Sequence, residues 1–245
     1  MFLDAAIRRS VSRLLEVPLV AAFSEWLDGR MPNRMGELGM ICQAFEFAKI
    51  NCVEGDYFEF GLYRGKTFAY AHRMKYRFGR HNMKLWGFDS FQGLPQISEK
   101  RDNVWTEGEF ACSEKELRHI LRRRGFSEAE YELIPGFYED SLNDALHQKL
   151  RGRTAAIVYV DCDLYESTAS VLCFLFRYLR NGTIICFDDY YCYKGAPDQG
   201  EQRAVAEFLA THANVRFIPY FDYSALGKAF IVRVAEEEMG NVRVR

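Results

Sequence analysis

Ala155-Ala-Ile-Val-Tyr-Val160 followed by Asp161-Cys162-Asp163, and Thr183-Ile-Ile-Cys-Phe187 followed by Asp188-Asp189, decide how this chain folds. Each leading run is apolar, β-branched or aromatic and too short for an ordinary helix, so each reads as a buried strand. A polar cluster just past the carboxyl end of such a strand marks where open α/β sheets bind their ligands. Two adjacent parallel strands ending this way gather three or four carboxylates at one spot. That is costly unless a cation neutralises it, and all-oxygen ligands suit Mg²⁺ or Ca²⁺.

Outward from these two tips, strand and helix patterns alternate. Upstream, strands are expected over 57–60, 84–88 and 131–134, with helices over 37–50, 66–78, from Ser113 and over 141–150. Ser113-Glu-Lys-Glu116 is a capping-box pattern and should start its helix. Helices are expected over 166–179 and 201–212, and strands over 215–218 and 228–234. Alternation of this kind gives a parallel sheet covered by helices on both faces, and the two closing strands suggest an antiparallel hairpin. Residues 89–112, rich in charge with Gly93, Pro95 and Gly108, form a long connection of the sort that becomes a lid or binding loop. Residues 1–28 read as an amphipathic helix, with Ile7, Val11, Leu14 and Leu15 on one side and Arg8, Arg9 and Arg13 around it. It packs on the main domain or a second subunit, or else makes a basic membrane contact. The division is therefore an N-terminal helical extension over 1–50, serving as lid or dimer contact, and one domain over 51–245. A homodimer or higher homo-oligomer is expected.

A formal net charge of −2 gives no bulk attraction to nucleic acid or to an anionic membrane. Seven cysteines are an odd number with no Cys-x-x-Cys pair, which favours a reducing cytoplasm and argues against structural zinc. Cys173 and Cys186 lie in apolar runs and should pack as small hydrophobes. No run approaches the roughly twenty apolar residues of a membrane span. Val17–Phe23 after the arginines faintly mimics a leader, but Glu16 and Pro18 interrupt it.

The segment Tyr57-Phe-Glu59-Phe-Gly61-Leu-Tyr63-Arg-Gly65-Lys-Thr67 runs strand, turn, helix. Its two glycines allow a tight turn and close approach to a ligand at a helix N-terminus, or serve only helix–strand packing. The dinucleotide fingerprint is missing, since Leu62 and Tyr63 stand where a pyrophosphate needs glycine. That points to an adenosine ligand without a buried pyrophosphate. Asp89, ending the next strand, is placed for ribose hydroxyls. Glu59 in an apolar strand could face an ammonium group, which fits S-adenosylmethionine better than NAD.

Taken in order, Gly61-Leu-Tyr-Arg-Gly65, Phe88-Asp-Ser-Phe-Gln-Gly-Leu-Pro95, Pro135-Gly-Phe137, Val160-Asp-Cys-Asp-Leu-Tyr-Glu-Ser-Thr168, Asp188-Asp-Tyr190 and Arg203-Ala-Val-x-Glu-Phe208 resemble the macrocin O-methyltransferase family of class I S-adenosylmethionine-dependent methyltransferases. The resemblance spans roughly residues 50–234. It implies a Rossmann-like, mostly parallel seven-stranded sheet with an antiparallel last strand. It also implies Mg²⁺ and methyl transfer to a hydroxyl of a sugar or other small natural product. By the same resemblance Glu59, Gly61, Tyr63, Gly65 and Thr67 would line the methionine end. Asp89, with Ser90 beside it, would hold the ribose. Gly136, Phe137 and Tyr138 would lie near the adenine, with Glu139 a hydrogen-bonding partner there. Asp161 would border the cofactor and, with Asp188 and Asp189, match the metal ligands. Asp163 would be a fourth ligand, a partner of one, or the base.

The base is open. Leu164 stands where catechol-type relatives carry lysine, and no histidine lies between Ser90 and Cys112. Glu107, Glu109 and Asp163 are the substitutes, with Asp163 and Asp161 taken as the catalytic pair. The five histidines sit in helical, charged surroundings. Trp105 and Tyr190, Tyr191 and Tyr193 are candidate walls of an acceptor pocket or simply packing. Two other readings stand beside this one: a metal-dependent glycosyltransferase using Asp161-Cys162-Asp163, and a non-catalytic S-adenosylmethionine-binding protein.

Overall fold

The computed structural model describes residues 36–97 and 105–235. The amphipathic helix expected over 1–28 and the charged tail from Glu236 lie outside the described residues. Strands β1 (Asp56–Phe60), β2 (Leu85–Asp89), β3 (Tyr131–Pro135), β4 (Ala155–Val160) and β5 (Ile184–Phe187) run parallel. β6 (Val215–Asp222) and β7 (Lys228–Val234) close the sheet antiparallel, in the order β3-β2-β1-β4-β5-β7-β6. β7 is thus the inner strand of the final hairpin, and β6 the edge.

Every residue of β4 is buried, because helices cover both faces. Tyr57, Leu85, Ile157 and Ile184 point to one side, under α1 (Gly36–Ile50), α2 (Lys66–Arg77) and α3 (Glu114–Arg123). Phe58, Trp86, Val158 and Ile185 point to the other, under α5 (Asp144–Lys149), α6 (Tyr165–Leu175) and α7 (Gly200–Thr211). α1 contributes Leu38, Ile41 and Phe45 to the first core. The second face is an aromatic lattice in which Phe60 stacks on Phe88 with ring centroids 4.3 Å apart.

Local chemistry sets the helix ends. The Ser113 hydroxyl accepts from Glu116 N at 3.3 Å, so the capping-box expectation holds in its first half. The helix expected over 141–150 is broken in two, α4 (Tyr138–Ser141) and α5. Asn143 interrupts it and caps α5, its side-chain oxygen accepting from Leu146 N at 3.1 Å. β6 runs past the expected 218 to Asp222, continuing beyond Pro219 through a register shift that an edge strand tolerates. Cys186 is fully buried as expected, but Cys173 is exposed on the outer side of α6; all seven cysteines are free.

The strand order reverses between β1 and β4, and there the two tips nearly touch. A Cβ at Gly61 would lie 1.9 Å from the Asp161 carbonyl oxygen. Gly61 is required by this approach of backbone to backbone.

Candidate active site

A cavity of about 290 Å³ opens at the carboxyl ends of β1, β2, β4 and β5. On one side Asp89 ties the turns together. Its Oδ2 accepts from Leu62 N at 2.6 Å and Tyr63 N at 3.2 Å, and its Oδ1 from Phe91 N at 2.6 Å. Burial pushes the Asp89 carboxyl up while these three amides pull it down. Gly136, Phe137 and Tyr138, just past β3, form the far wall.

Opposite them stand the aspartates of β4 and β5. One ligand oxygen from each of Asp161, Asp163 and Asp189 lies within 4.8 Å of the others. Burial and mutual repulsion hold the carboxyls of Asp161 and Asp163 well above the ordinary range, and burial raises that of Asp189 against the pull of its hydrogen bonds. Asp163 adopts φ +62, a left-handed backbone that a non-glycine residue takes only when its surroundings enforce it. The Tyr193 hydroxyl donates to the Asp163 carbonyl at 3.2 Å and braces that turn. Cys192 Sγ donates to Asp189 Oδ1 at 3.2 Å, and Glu201 Oε2 accepts from Asp189 N at 3.0 Å. Asp189 Oδ2 is buried with no hydrogen-bond partner. Asp188 lines the cavity too, but its oxygens are not in the close group. Tyr223 OH donates to its Oδ1 at 3.2 Å, and burial beside Asp189 pushes its carboxyl up to about 7.

These residues fit a divalent ion. Three hard oxygens converge, one buried oxygen is orphaned, and neighbouring negative charge is unrelieved by any cationic side chain among the described lining residues. Of the expected ligands, Asp161 and Asp189 are in the close group together with Asp163, expected as a fourth ligand, a partner of one or the base, while Asp188 stands outside it.

The expected cofactor residues divide. Gly61, Tyr63, Asp89, Ser90, Gly136, Phe137, Tyr138 and Asp161 line the cavity; Glu59, Gly65 and Thr67 do not. Strand parity explains Glu59. Its side chain leaves β1 on the α2 side, fully buried, and accepts from Tyr57 OH and Thr67 Oγ1 at 2.5 Å each. Glu59 thereby caps the first turn of α2 from below, where the helix has no side-chain cap of its own. Burial raises its carboxyl to about 8. Gly65 answers to packing, since a Cβ there would lie 2.7 Å from Leu117 Cδ1.

The long connection brings Trp105, Glu109 and Phe110 to the cavity mouth, while Glu107 stays exposed. None of the five histidines lines it. Tyr190 and Tyr191 instead cover the sheet beside Lys228 and Phe230. Glu201 was not legible as a site residue, since it looks like an ordinary first-turn acid; Tyr193, expected as an acceptor wall or packing, braces the Asp163 turn.

A family model, Macrocin-O-methyltransferase (TylF), matches residues 32–223, most of the chain. The chain belongs to this family. The assignment removes the basis for the glycosyltransferase reading of Asp161-Cys162-Asp163. One relative is the 8-demethyl-8-(2,3-dimethoxy-alpha-L-rhamnosyl)-tetracenomycin-C 4'-O-methyltransferase of Streptomyces olivaceus. It is 29% identical over 145 residues, 56% of this chain and 54% of that protein. The match thus spans about half the length of that relative. Among solved structures, the calicheamicin methyltransferase CalS11 superposes with a TM-score of 0.70 at 21% identity, covering 94% of both chains. Its apo form, described as a TDP-rhamnose 3'-O-methyltransferase, gives 0.62 at 19% identity, over 94% of this chain and 96% of that one. At these identities the structures establish the shared class I methyltransferase fold.

Proposed function

We propose that this protein is an S-adenosylmethionine- and Mg²⁺-dependent O-methyltransferase acting on a hydroxyl of a sugar or sugar-bearing natural product. The observation that carries the reading is the meeting, in one cavity, of the Asp161, Asp163 and Asp189 oxygens with the turn built by Gly61, Tyr63 and Asp89. The family and the named activity of its rhamnoside-methylating relative support the reaction class.

S-adenosylmethionine supplies a methyl group already activated on a sulfonium. Gly61, Tyr63 and Asp89 would hold its methionine and ribose parts, and Phe137 and Tyr138 its adenine. Mg²⁺ would lower the pKa of the acceptor hydroxyl and fix its angle. Asp161 and Asp189 would hold the ion. Asp163, the third oxygen of the group, would take the acceptor proton. With the donor bound, its methyl group would be available to the acceptor oxygen with sulfur as the leaving group, and the Asp163 carboxylate would receive the hydroxyl proton. Asp188 flanks the site, its carboxylate steadied by Tyr223.

The test is calorimetry with S-adenosylhomocysteine, UDP-sugars and NADH, followed by an acceptor screen with labelled methyl donor and Mg²⁺. Binding of S-adenosylhomocysteine alone and a mass gain of one methyl are expected. Tight UDP-sugar binding with no response to S-adenosylhomocysteine would overturn the reading.

A further inference from the structure

The start of α7 reaches both carboxylate-bearing turns. Gly200, at φ +54, sits so close to Tyr193 that a Cβ there would lie 2.6 Å from its Cε2, and the Tyr193 hydroxyl donates to the Asp163 carbonyl at 3.2 Å. Glu201, the next residue, accepts from Asp189 N through Oε2 at 3.0 Å. One residue of α7 thus bears on the turn after β4, and its neighbour on the turn after β5.

Glu201 does not behave as a first-turn acid usually does. Such a residue stands in water and gains a little from the helix dipole. Glu201 is only 1% exposed, and it lies near Asp163, Asp188 and Asp189, which repel it. Its other oxygen, Oε1, is buried with no hydrogen-bond partner. Among the described residues its side chain therefore makes a single hydrogen bond, and that bond goes to the amide of a candidate ion ligand. Burying a carboxyl group among others is costly, and an apolar side chain would fill the same space without that cost. The hold on Asp189 is what the acid adds.

Its effect is visible at Asp189 itself. The amide is held by Glu201, the carbonyl by Cys192 N at 2.9 Å, and Oδ1 by Cys192 Sγ at 3.2 Å. Oδ2 is left without a partner. Carboxylates gathered for an ion repel one another while the ion is absent, and a free side chain would swing apart from its neighbours. With its backbone fixed on both sides and one oxygen tied back, Asp189 stays beside Asp161 and Asp163.

Resting on the ion role in the proposed function, we propose that Glu201 is a positioning residue. Through the Asp189 amide it keeps that ligand turned toward Asp161 and Asp163 before any ion arrives. Gly200 sets the reach of Glu201 by seating α7 against Tyr193.

The experiment titrates the full chain with Mn²⁺ alone, read by the electron paramagnetic resonance of the free ion, in wild type, Glu201→Gln and Glu201→Leu. Glutamine keeps an acceptor oxygen for Asp189 N, whereas leucine fills the space without one. Mn²⁺ affinity should fall about tenfold or more in Glu201→Leu and no more than about threefold in Glu201→Gln, with S-adenosylhomocysteine affinity unchanged in both. Glu201→Ala should match Glu201→Leu, which covers a misfit of the leucine. In the metal-free protein the Asp189 amide hydrogen, followed by NMR, should exchange slowly in wild type and Glu201→Gln and at least about tenfold faster in Glu201→Leu. Wild-type Mn²⁺ affinity in the leucine and alanine variants overturns the inference. A glutamine variant as weak as the leucine variant also overturns it, because the effect would then belong to charge and not to the hold on Asp189. A wild type that binds S-adenosylhomocysteine but no Mn²⁺ is a separate result and counts against the ion role in the proposed function; the amide exchange then still decides what Glu201 does.

Discussion

Asp189 is only 4% exposed, yet its Oδ2 meets no hydrogen-bond donor, while its Oδ1 and its amide are both held. A carboxylate so placed is costly in the bare protein and well suited to an ion. Asp189→Asn should lower methyl transfer about 100-fold or more and leave S-adenosylhomocysteine affinity within about twofold, read by initial rates and calorimetry. Undiminished turnover would remove the metal role. Glu59 supports a pH prediction. Its folded carboxyl titrates near 8 against an ordinary 4.5, so between these values the folded state holds a proton that the unfolded state has lost. Stability from this group is full below 4.5 and falls as pH rises toward 8, by roughly 1.4 kcal/mol per unit. Urea unfolding at pH 5.5 and 7.5 should show a smaller drop for Glu59→Gln than for wild type; equal drops would contradict it. At this scale the sequence revealed which carboxylates gather, because each ends a recognisable strand. It did not reveal that Asp163 would join the close group while Asp188 stayed outside it. That depends on a left-handed turn at Asp163 and on Tyr193 thirty residues away, neither of which leaves a mark in local pattern.

Among elements, the turn after β4 and the connection after β2 both border the cavity, and both are held by contacts distant in sequence. Tyr193→Phe deletes the hydroxyl that braces Asp163. Turnover should fall about tenfold with cofactor affinity unchanged, and the fall should appear in kcat more than in acceptor KM. A variant with wild-type kcat would show that the turn keeps its shape unaided. Helices and strands themselves were largely legible, since buried parallel strands are continuous apolar runs and Ser113 announces its helix. The break between α4 and α5 and the long β6 were not, because capping by Asn143 and edge pairing with β7 outweigh local periodicity. The connection's length marks it as a candidate binding loop, and it lines the cavity, but Glu109 is placed by Leu94 N donating to its carbonyl and Gly108 N to that of Leu94, which no spacing rule supplies.

Over the whole molecule, the parallel sheet with its antiparallel finish follows from the alternation of patterns, and the site from the reversal of strand order between β1 and β4. Far from it, Glu130 gathers His72 Nε2, Lys75 Nζ and Ser127 N at 3.2 Å each, together with Tyr76 OH, and joins α2 to the β3 edge. Although burial alone would raise it, these donors hold its carboxyl down at about 2. Its stabilisation is present above the ordinary 4.5 and lost as pH falls toward 2. Because the Lys75 side chain is only 3% exposed, Glu130→Gln should cost on the order of 2–3 kcal/mol at neutral pH in urea unfolding. An unchanged midpoint would show that Lys75 reaches water. Sheet, tips and chemistry meet in the proposal that strand-tip carboxylates hold a divalent ion beside a sulfonium donor. It is tested most directly by the NMR signal of S-adenosylmethionine labelled with ¹³C at its methyl group, bound to the protein and titrated with paramagnetic Mn²⁺ in place of Mg²⁺. The methyl resonance should broaden strongly in wild type and stay sharp in Asp161→Asn and Asp189→Asn. A methyl line that remains sharp in wild type while Mn²⁺ is bound would contradict the claim.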